Sequence, residues 1–113
     1  MPTDTDIFES LRQELRRGSL ILAVLGSLRA EHYGYTLRKA LAEAGVEIEE
    51  GALYPMLRRL EAQGLLTSQW REEAKRNKRF YRLSDQGRSV LALLTTEWRA
   101  LGGAVDDILK GEG

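Results

Sequence analysis

The chain has 113 residues, no cysteine, and equal numbers of acidic and basic side chains, so its formal net charge is zero. This length suits one domain of ordinary size with a single modest core. The lack of cysteine excludes a disulfide framework, a thiolate zinc site and a cysteine nucleophile.

The N-terminal segment predicts an amphipathic helix over residues 6–17, because Ile7, Leu11 and Leu15 recur at a spacing of four. Gly18 and the serine after it either end this helix or lie within a longer one. The acidic start of the chain is unlike a basic secretory signal. We therefore expect a cytoplasmic protein.

Residues 20–28 are apolar nearly all round, which is typical of a buried central helix. About nine residues are far fewer than the ~20 needed to cross a bilayer, so we expect no membrane partner. Residues 31–34 predict a connection, in which His32 is a solvated loop residue. A second helix is predicted over residues 35–44, closed by Gly45.

A third helix is predicted within residues 51–65, with Leu53, Leu57 and Leu60 on one apolar stripe. Its outward face carries Tyr54, Pro55 and Arg58, with Arg59 at the edge. The tyrosine hydroxyl and the guanidinium groups suit phosphate oxygens and base edges. A proline inside a helix removes a hydrogen bond and clashes with the preceding turn, so we expect the regular helix to begin only just before Pro55.

Two short strands are predicted over residues 66–72 and 79–83, joined by a hairpin tip over residues 73–78. Trp70 is expected to pack under the hairpin. Phe80 and Tyr81 alternate along the second strand, so one of them should be buried and the other exposed. Basic residues crowd this region: residues 54–88 hold nine Lys or Arg against four Asp or Glu, which favours a polyanionic partner.

The last helix is predicted from a cap at Ser84 onwards. Its apolar residues follow steps of three and four in the pattern of a heptad seam: Leu91, Leu94, Trp98, Leu101, Val105 and Ile108. We expect this face to form a homodimer interface. The adjacent glycines at 102 and 103 are expected to kink or fray the helix.

The element order predicts a mainly α fold with a small β-hairpin (α+β). It is that of a winged helix-turn-helix, in which the third helix enters the major groove and the hairpin lies along the backbone. Residues 1–84 would form the DNA-binding domain with an N-terminal helical extension. Residues 85–113 would form a C-terminal dimerisation helix.

Three segments together resemble the PadR family of transcriptional regulators: residues 51–65, the wing segment 78–87 and the second-helix entry 33–35. The single short C-terminal helix is similar to that of the small subfamily of these regulators. The resemblance implies a homodimeric transcriptional repressor that binds double-stranded DNA at a pseudo-palindromic operator. It also implies DNA contacts from the second helix, the third helix and the wing: Tyr35, Thr36, Lys39, Tyr54, Pro55, Arg58, Arg59, Lys75, Arg76 and Lys78.

The same resemblance places Trp98 at the position of a tryptophan that, paired across the dimer of a multidrug-responsive member, stacks on planar drugs. It implies a small apolar or aromatic effector, with Ile21 and Leu94 as neighbours of Trp98. From the residues alone, a tryptophan on a heptad seam is more simply dimer core.

Two other classes of function compete with a DNA-binding regulator. A winged-helix protein-interaction module would use the same fold, and the zero net charge favours it slightly. An enzyme would need a nucleophile with a base, a phosphate-binding glycine loop or a metal set, and the sequence offers none of these. We therefore expect no catalytic residues, no metal site and no cofactor.

Overall fold

The computed structural model describes residues 1–111, which form four helices and one antiparallel hairpin. The elements are α1 (Asp4–Ser27), α2 (Gly34–Glu43), α3 (Glu50–Ala62), β1 (Leu66–Glu73), β2 (Arg76–Leu83) and α4 (Asp85–Lys110). This order confirms the predicted winged helix-turn-helix architecture. The last two residues of the expected C-terminal unit lie outside the described part of the chain.

Helix α1 is one continuous helix of 24 residues, so Gly18 does not end it. Its start is fixed by a reciprocal cap, in which the Asp6 amide donates to the Thr3 hydroxyl and the Thr3 amide donates to the Asp6 carboxylate, each at 3.1 Å. The predicted all-round burial of residues 20–28 is wrong. Val24, Leu25 and Leu28 are buried, whereas the other six residues of the segment are half-buried.

The core lies where α1, α2, α3 and the hairpin meet. The predicted leucine stripe of α3 is confirmed, because all three of its leucines are buried there. The other buried members are Val24, Leu25, Leu28, Leu37, Leu41, Leu66, Tyr81 and Leu83. Arg16 of α1 donates a 2.8 Å hydrogen bond to the Glu47 carbonyl and so ties α1 to the loop that leads into α3.

Helix α3 begins at Glu50, five residues before Pro55, so the predicted late start is wrong. The first turn is closed by the Glu49 carbonyl, which accepts from the amides of Ala52 and Leu53 at 3.0 and 2.9 Å. Pro55 and Gly51 are both exposed, so water can reach the carbonyl that the proline leaves without a donor. A short ion pair of 2.9 Å between Arg38 and Glu50 also fixes this end.

The hairpin is longer and its turn tighter than predicted. Strand β2 begins at Arg76 rather than Arg79, and only Ala74 and Lys75 form the turn. Both have positive φ, 52° and 66°, which is the conformation of a type I′ connection. This turn usually carries Asn-Gly or Asp-Gly, so the sequence contained no signal for it.

Both predictions for the aromatic residues of the hairpin are wrong. Phe80 and Tyr81 are both buried, at 7% and 4% exposure, because each face of β2 is covered. Tyr81 faces the core, whereas Phe80 packs edge-on against Tyr33 and under the Arg71 guanidinium. Trp70 is 63% exposed instead of packed under the hairpin.

Helix α4 is capped as predicted, since the Gly87 amide donates to the Ser84 hydroxyl at 2.9 Å. The helix continues without interruption through Gly102 and Gly103, so it does not fray there as expected. Among the described helices, none combines the length and the hydrophobicity that a membrane span requires.

Candidate nucleic-acid interface

A cleft of about 450 Å³ lies between the N-terminal parts of α2 and α3 on one side and the hairpin on the other. We call it the basic cleft. It is lined by Tyr33, Gly34, Tyr35, Tyr54, Arg58, Trp70, Arg76, Asn77, Lys78, Arg79 and Tyr81. Guanidinium groups, an ammonium and tyrosine hydroxyls thus converge on one open surface, which suits the oxygens of a polyanion.

Tyr54 stands at the centre of this surface because of its contact with Gly34. A Cβ atom added to the buried Gly34 would overlap the Tyr54 hydroxyl and ring, so glycine is what lets the tyrosine lie against the start of α2. Tyr35 is exposed beside it and stacks on Tyr33, with ring centroids 6.3 Å apart. Arg58 follows Tyr54 one turn later on α3 and extends the same face.

The residues of α2 that were predicted to reach DNA have different environments. Lys39 is exposed and lies one turn after Tyr35, on the same helix face. The Thr36 hydroxyl is engaged within the protein, where it donates to the Tyr33 carbonyl and accepts from the Tyr33 amide at 3.1 and 3.2 Å. His32 is not a solvated loop residue, because its backbone pairs with Tyr81 and its Nδ1 lies 3.1 Å from the Thr36 hydroxyl.

Some cationic side chains of the wing are held by contacts within the protein, and others are exposed to solvent. Lys75 and Arg76 are exposed at the tip. Lys78 is largely covered, with its Nζ 4.5 Å from the centre of the Tyr33 ring and 3.5 Å from a Glu73 carboxylate oxygen. The wing therefore offers its most accessible positive charge at the turn.

Arg79 was not among the predicted site residues, yet it organises the floor of the basic cleft. Its Nη2 donates to Glu61 of α3 at 2.8 Å and its Nε donates to the Ser68 hydroxyl at 3.0 Å. Glu61 in turn accepts from the Ser68 hydroxyl. This network joins α3 to both strands, and it depends on a tertiary contact that strand alternation alone does not indicate.

Tyr81 lies below this network. Burial raises the pKa of its hydroxyl above the ordinary value, and the nearby Arg79 guanidinium opposes the shift without cancelling it. The Tyr81 side chain is therefore neutral at physiological pH.

Arg59 lies apart from the basic cleft. It lines a groove of about 830 Å³ on the opposite side of α3, between that helix, α1 and α4, which we call the apolar groove. The groove is lined by Glu14, Leu15, Gly18, Ser19, Ile21, Leu22, Leu25, Arg59, Leu60, Gln63, Leu65, Leu94, Glu97, Trp98 and Leu101. The structure therefore brings together Ile21, Leu94 and Trp98, the three residues expected around an effector.

The heptad residues of α4 are mostly uncovered. Leu91 packs against the protein's own core, whereas the other five are exposed: Leu94, Trp98, Leu101, Val105 and Ile108. The first half of α1 also exposes large apolar side chains, namely Ile7, Phe8, Leu11 and Leu15. Two long helices thus present apolar faces that the described chain leaves uncovered, well beyond the scattered apolar residues of an ordinary surface.

The family follows from comparison with known proteins. The sequence profile of the transcriptional regulator PadR-like family matches residues 21–93, which include α2, α3, the hairpin and the start of α4. The chain belongs to the PadR-like family. It is therefore a winged-helix transcriptional regulator and not an enzyme.

Individual relatives agree with this assignment. A transcriptional regulator of Mycobacterium tuberculosis is 37% identical over 101 residues, covering 88% of this chain and 92% of that protein. The crystal structure of a PadR family transcriptional regulator from Eggerthella lenta is 42% identical, covers 96% of each chain and superposes with a TM-score of 0.89. A PadR-like transcription factor from Bacteroides fragilis is 30% identical, covers 88% of this chain and 98% of that chain, and has a TM-score of 0.74. A transcriptional regulator is therefore favoured over a general protein-interaction module.

Proposed function

We propose that this PadR-like regulator is a homodimeric repressor that binds a pseudo-palindromic DNA site through two copies of the basic cleft. The observation that carries the proposal is the convergence of Tyr54 and Arg58 of α3 with Arg76 and Lys78 of the wing on one open surface. Helix α3 would read the major groove, and two copies would meet half-sites about 34 Å apart.

The DNA contacts are assigned to groups in and beside the basic cleft. Tyr54, Pro55 and Arg58 of α3 would face the major groove. Phosphates would be met by Tyr35 and Lys39 of α2 and by Lys75, Arg76 and Lys78 of the wing, whereas the Thr36 hydroxyl, which donates within the protein, could only support the start of α2. Arg59 is not assigned a contact, because it lines the apolar groove and not the basic cleft. If a dimer engages six to ten phosphates, affinity should fall by roughly 10³ to 10⁵ between 50 and 200 mM salt.

DNA binding is tested by titrating a fluorescent duplex from the region upstream of the protein's own gene, beside an unrelated duplex. Wild-type protein should prefer the first duplex and show a steep dependence on salt. The double variant Lys75→Glu/Arg76→Glu should lose binding. Its matched control is Arg17→Glu/Arg99→Glu, which makes the same charge change at exposed positions of α1 and α4 that lie off their apolar faces. Equal weak binding of both duplexes by wild-type protein would contradict the proposal.

Repression is tested by transcription in vitro from the promoter within that upstream duplex. Transcript yield should fall as wild-type protein is added and should stay constant with the Lys75→Glu/Arg76→Glu variant. A rise in transcript yield would identify an activator instead.

The homodimer is proposed because the apolar faces of α1 and α4 have no cover within residues 1–111. The radius of gyration is 16.8 Å, against the ~13 Å expected of a compact domain of this length. The extended shape places the ends of α1 and α4 beyond the core, where a second copy can cover them. Residues 85–111 would then act as the described part of a dimerisation unit.

A small apolar or aromatic effector is proposed to occupy the apolar groove and to release DNA. Trp98 is 52% exposed there. Arg59 and Leu60 of α3, with Gln63 directly after it, form one wall, so an occupant would touch the back of the DNA-reading helix. If α3 can take two positions and only one of them suits DNA, a ligand that binds better to the other position lowers the DNA affinity. The size of the effect is set by the ratio of the ligand's affinities for the two positions.

The effector proposal is tested with planar aromatic compounds added to the Trp70→Phe variant, in which Trp98 is the only tryptophan. Quenching of Trp98 emission that saturates, together with release of the operator duplex, would support it. Quenching without any change in DNA affinity would contradict the coupling.

A further inference from the structure

Trp70 of the basic cleft is a large, exposed apolar residue, and phosphate binding does not explain its presence there. Trp70 is 63% exposed and lies on β1 opposite Arg79 of β2, so its indole stands on the face of the hairpin that is turned towards α3. It lines the same cleft as Tyr54 and Arg58. A large apolar ring among cations and hydroxyls implies an occupant that is both apolar and charged.

The indole is held in place from below. The Arg79 guanidinium carbon lies 5.7 Å from the centre of the Trp70 ring, and 5.4 Å from that of Tyr81. Because Arg79 is already paired with Glu61 at 2.8 Å, its charge is largely balanced within the protein. Arg79 therefore serves as a support for Trp70, and the cations at the rim are left for an external anion.

The cleft lies between the helix that enters the major groove and the wing that follows the backbone beside it. The part of a duplex that separates those two positions is one sugar–phosphate strand. Such a strand alternates an anionic phosphate with the largely apolar carbon face of a deoxyribose. This alternation matches a cleft that is lined by the guanidinium groups of Arg58 and Arg76 as well as by the indole of Trp70.

We propose that Trp70 packs against a deoxyribose of the DNA strand that runs through the basic cleft. The cleft would thus hold the backbone by an apolar contact as well as by charge. This inference rests on the proposed function and deepens it, because it names the part of the DNA that enters the cleft and adds a residue to the interface.

The first test uses fluorescence, since the chain has only two tryptophans. In the Trp98→Phe variant, Trp70 is the sole tryptophan, and saturation with the upstream duplex should shift its emission to shorter wavelength as water leaves the ring. The Trp70→Phe variant, which reports Trp98 alone, is the matched control and should not show this shift. An unchanged Trp70 spectrum at saturating DNA would overturn the proposal.

The second test separates an apolar contact from an ionic one. Trp70→Ala should weaken DNA binding about five- to tenfold at every salt concentration, with the slope of log affinity against log salt unchanged. Trp70→Phe should keep most of the affinity. Arg76→Gln should instead make the slope shallower by about 0.9 for each phosphate that the arginine neutralises.

The outcomes distinguish the proposed role of Trp70 from the DNA-binding proposal on which it rests. Wild-type affinity in Trp70→Ala, with steep salt dependence retained, would overturn the role of Trp70 and leave the DNA-binding proposal standing. Absence of specific binding by wild-type protein would overturn both. Because Trp70 is exposed, Trp70→Ala should melt within a few degrees of wild type. If it does not, the emission shift of Trp70 in the Trp98→Phe variant still tests the contact.

Discussion

At the scale of single residues, the contact between Gly34 and Tyr54 sets where a key side chain of α3 can stand. Gly34→Ala would place a methyl group in the space of the Tyr54 hydroxyl. The tyrosine can swing away without unfolding the protein, because it projects into an open cleft. We predict that Gly34→Ala retains the fold and lowers DNA affinity about five- to tenfold, the value of one hydrogen bond.

The same pair provides its own control. In a Tyr54→Ala background, Gly34→Ala should cause no further loss of DNA affinity, since the side chain it displaces is already gone. Additive losses in the double variant, measured by anisotropy, would show that Gly34 acts by another route.

Tyr81 gives the fold a dependence on alkaline pH. Burial raises the pKa of its hydroxyl in the folded protein above the unfolded value, so folding favours the neutral form. That stabilisation is complete below the unfolded pKa, and it is lost as pH rises through the folded pKa. The free energy of unfolding should therefore fall above about pH 10.

Tyr81→Phe isolates this effect because it keeps the buried ring and removes the ionisable group. At pH 7 its free energy of unfolding should lie within about 1 kcal/mol of wild type. The difference between the two proteins should then move in favour of the variant as pH rises beyond about 10, as measured by urea unfolding. Parallel pH curves would contradict the assignment.

At the scale of elements, the start of α4 is tightly joined to the loop between α3 and β1. The Ser84 amide donates to the Leu65 carbonyl at 3.0 Å, and the Ser84 hydroxyl donates to the Gly64 carbonyl. Gly87 packs so closely that a Cβ would overlap the Leu65 carbonyl oxygen. The helix that carries the apolar face is thereby fixed to the end of α3.

Substitution of either of two glycines of α4 by alanine should therefore change the stability of the fold, but in opposite directions. Gly87→Ala must move backbone atoms and should destabilise the fold by about 1–3 kcal/mol. A Cβ at Gly103 would meet nothing within 4 Å, so Gly103→Ala should raise stability by up to ~1 kcal/mol through helix propensity. Thermal melts of both variants check this pair, and a destabilised Gly103→Ala would argue that α4 is bent there.

Sequence pattern predicted the elements whose period is set by burial and missed those set by tertiary contacts. The leucine stripe of α3 and the cap at Ser84 are local signals, and both are confirmed. The early start of α3 depends on the Glu49 carbonyl, which closes the first turn, and on the access of water to Gly51. The short turn of the hairpin depends on positive φ at Ala74 and Lys75. Neither can be read from the periodicity of the chain.

The site was predictable to a similar degree. The excess of Lys and Arg in residues 54–88 located two of the three segments that line the basic cleft, and missed the third at the start of α2. The sequence could not assign Arg58 and Arg59 to opposite sides of α3, because that depends on how α1 and α4 pack against the helix. It also missed Arg79, whose role follows from its pairing with Glu61.

At the scale of the whole molecule, the exposed apolar faces of α1 and α4 predict that folding and pairing are linked. For a homodimer, the melting midpoint should rise by about 3 °C for each tenfold increase in protein concentration. Leu101→Glu, at an exposed apolar position, should yield a folded monomer by analytical ultracentrifugation with a midpoint independent of concentration. Arg99→Glu, on the other side of α4, should remain dimeric.

A folded chain that leaves so much apolar helix surface uncovered has a further consequence for regulation. If only paired copies bind both half-sites, occupancy at protein concentrations below the dimer dissociation constant grows as the square of the amount of protein. A twofold change in synthesis or degradation would then alter occupancy about fourfold. Pairing through the uncovered faces of α1 and α4 would thus make operator occupancy more sensitive to protein concentration, even before any effector is bound.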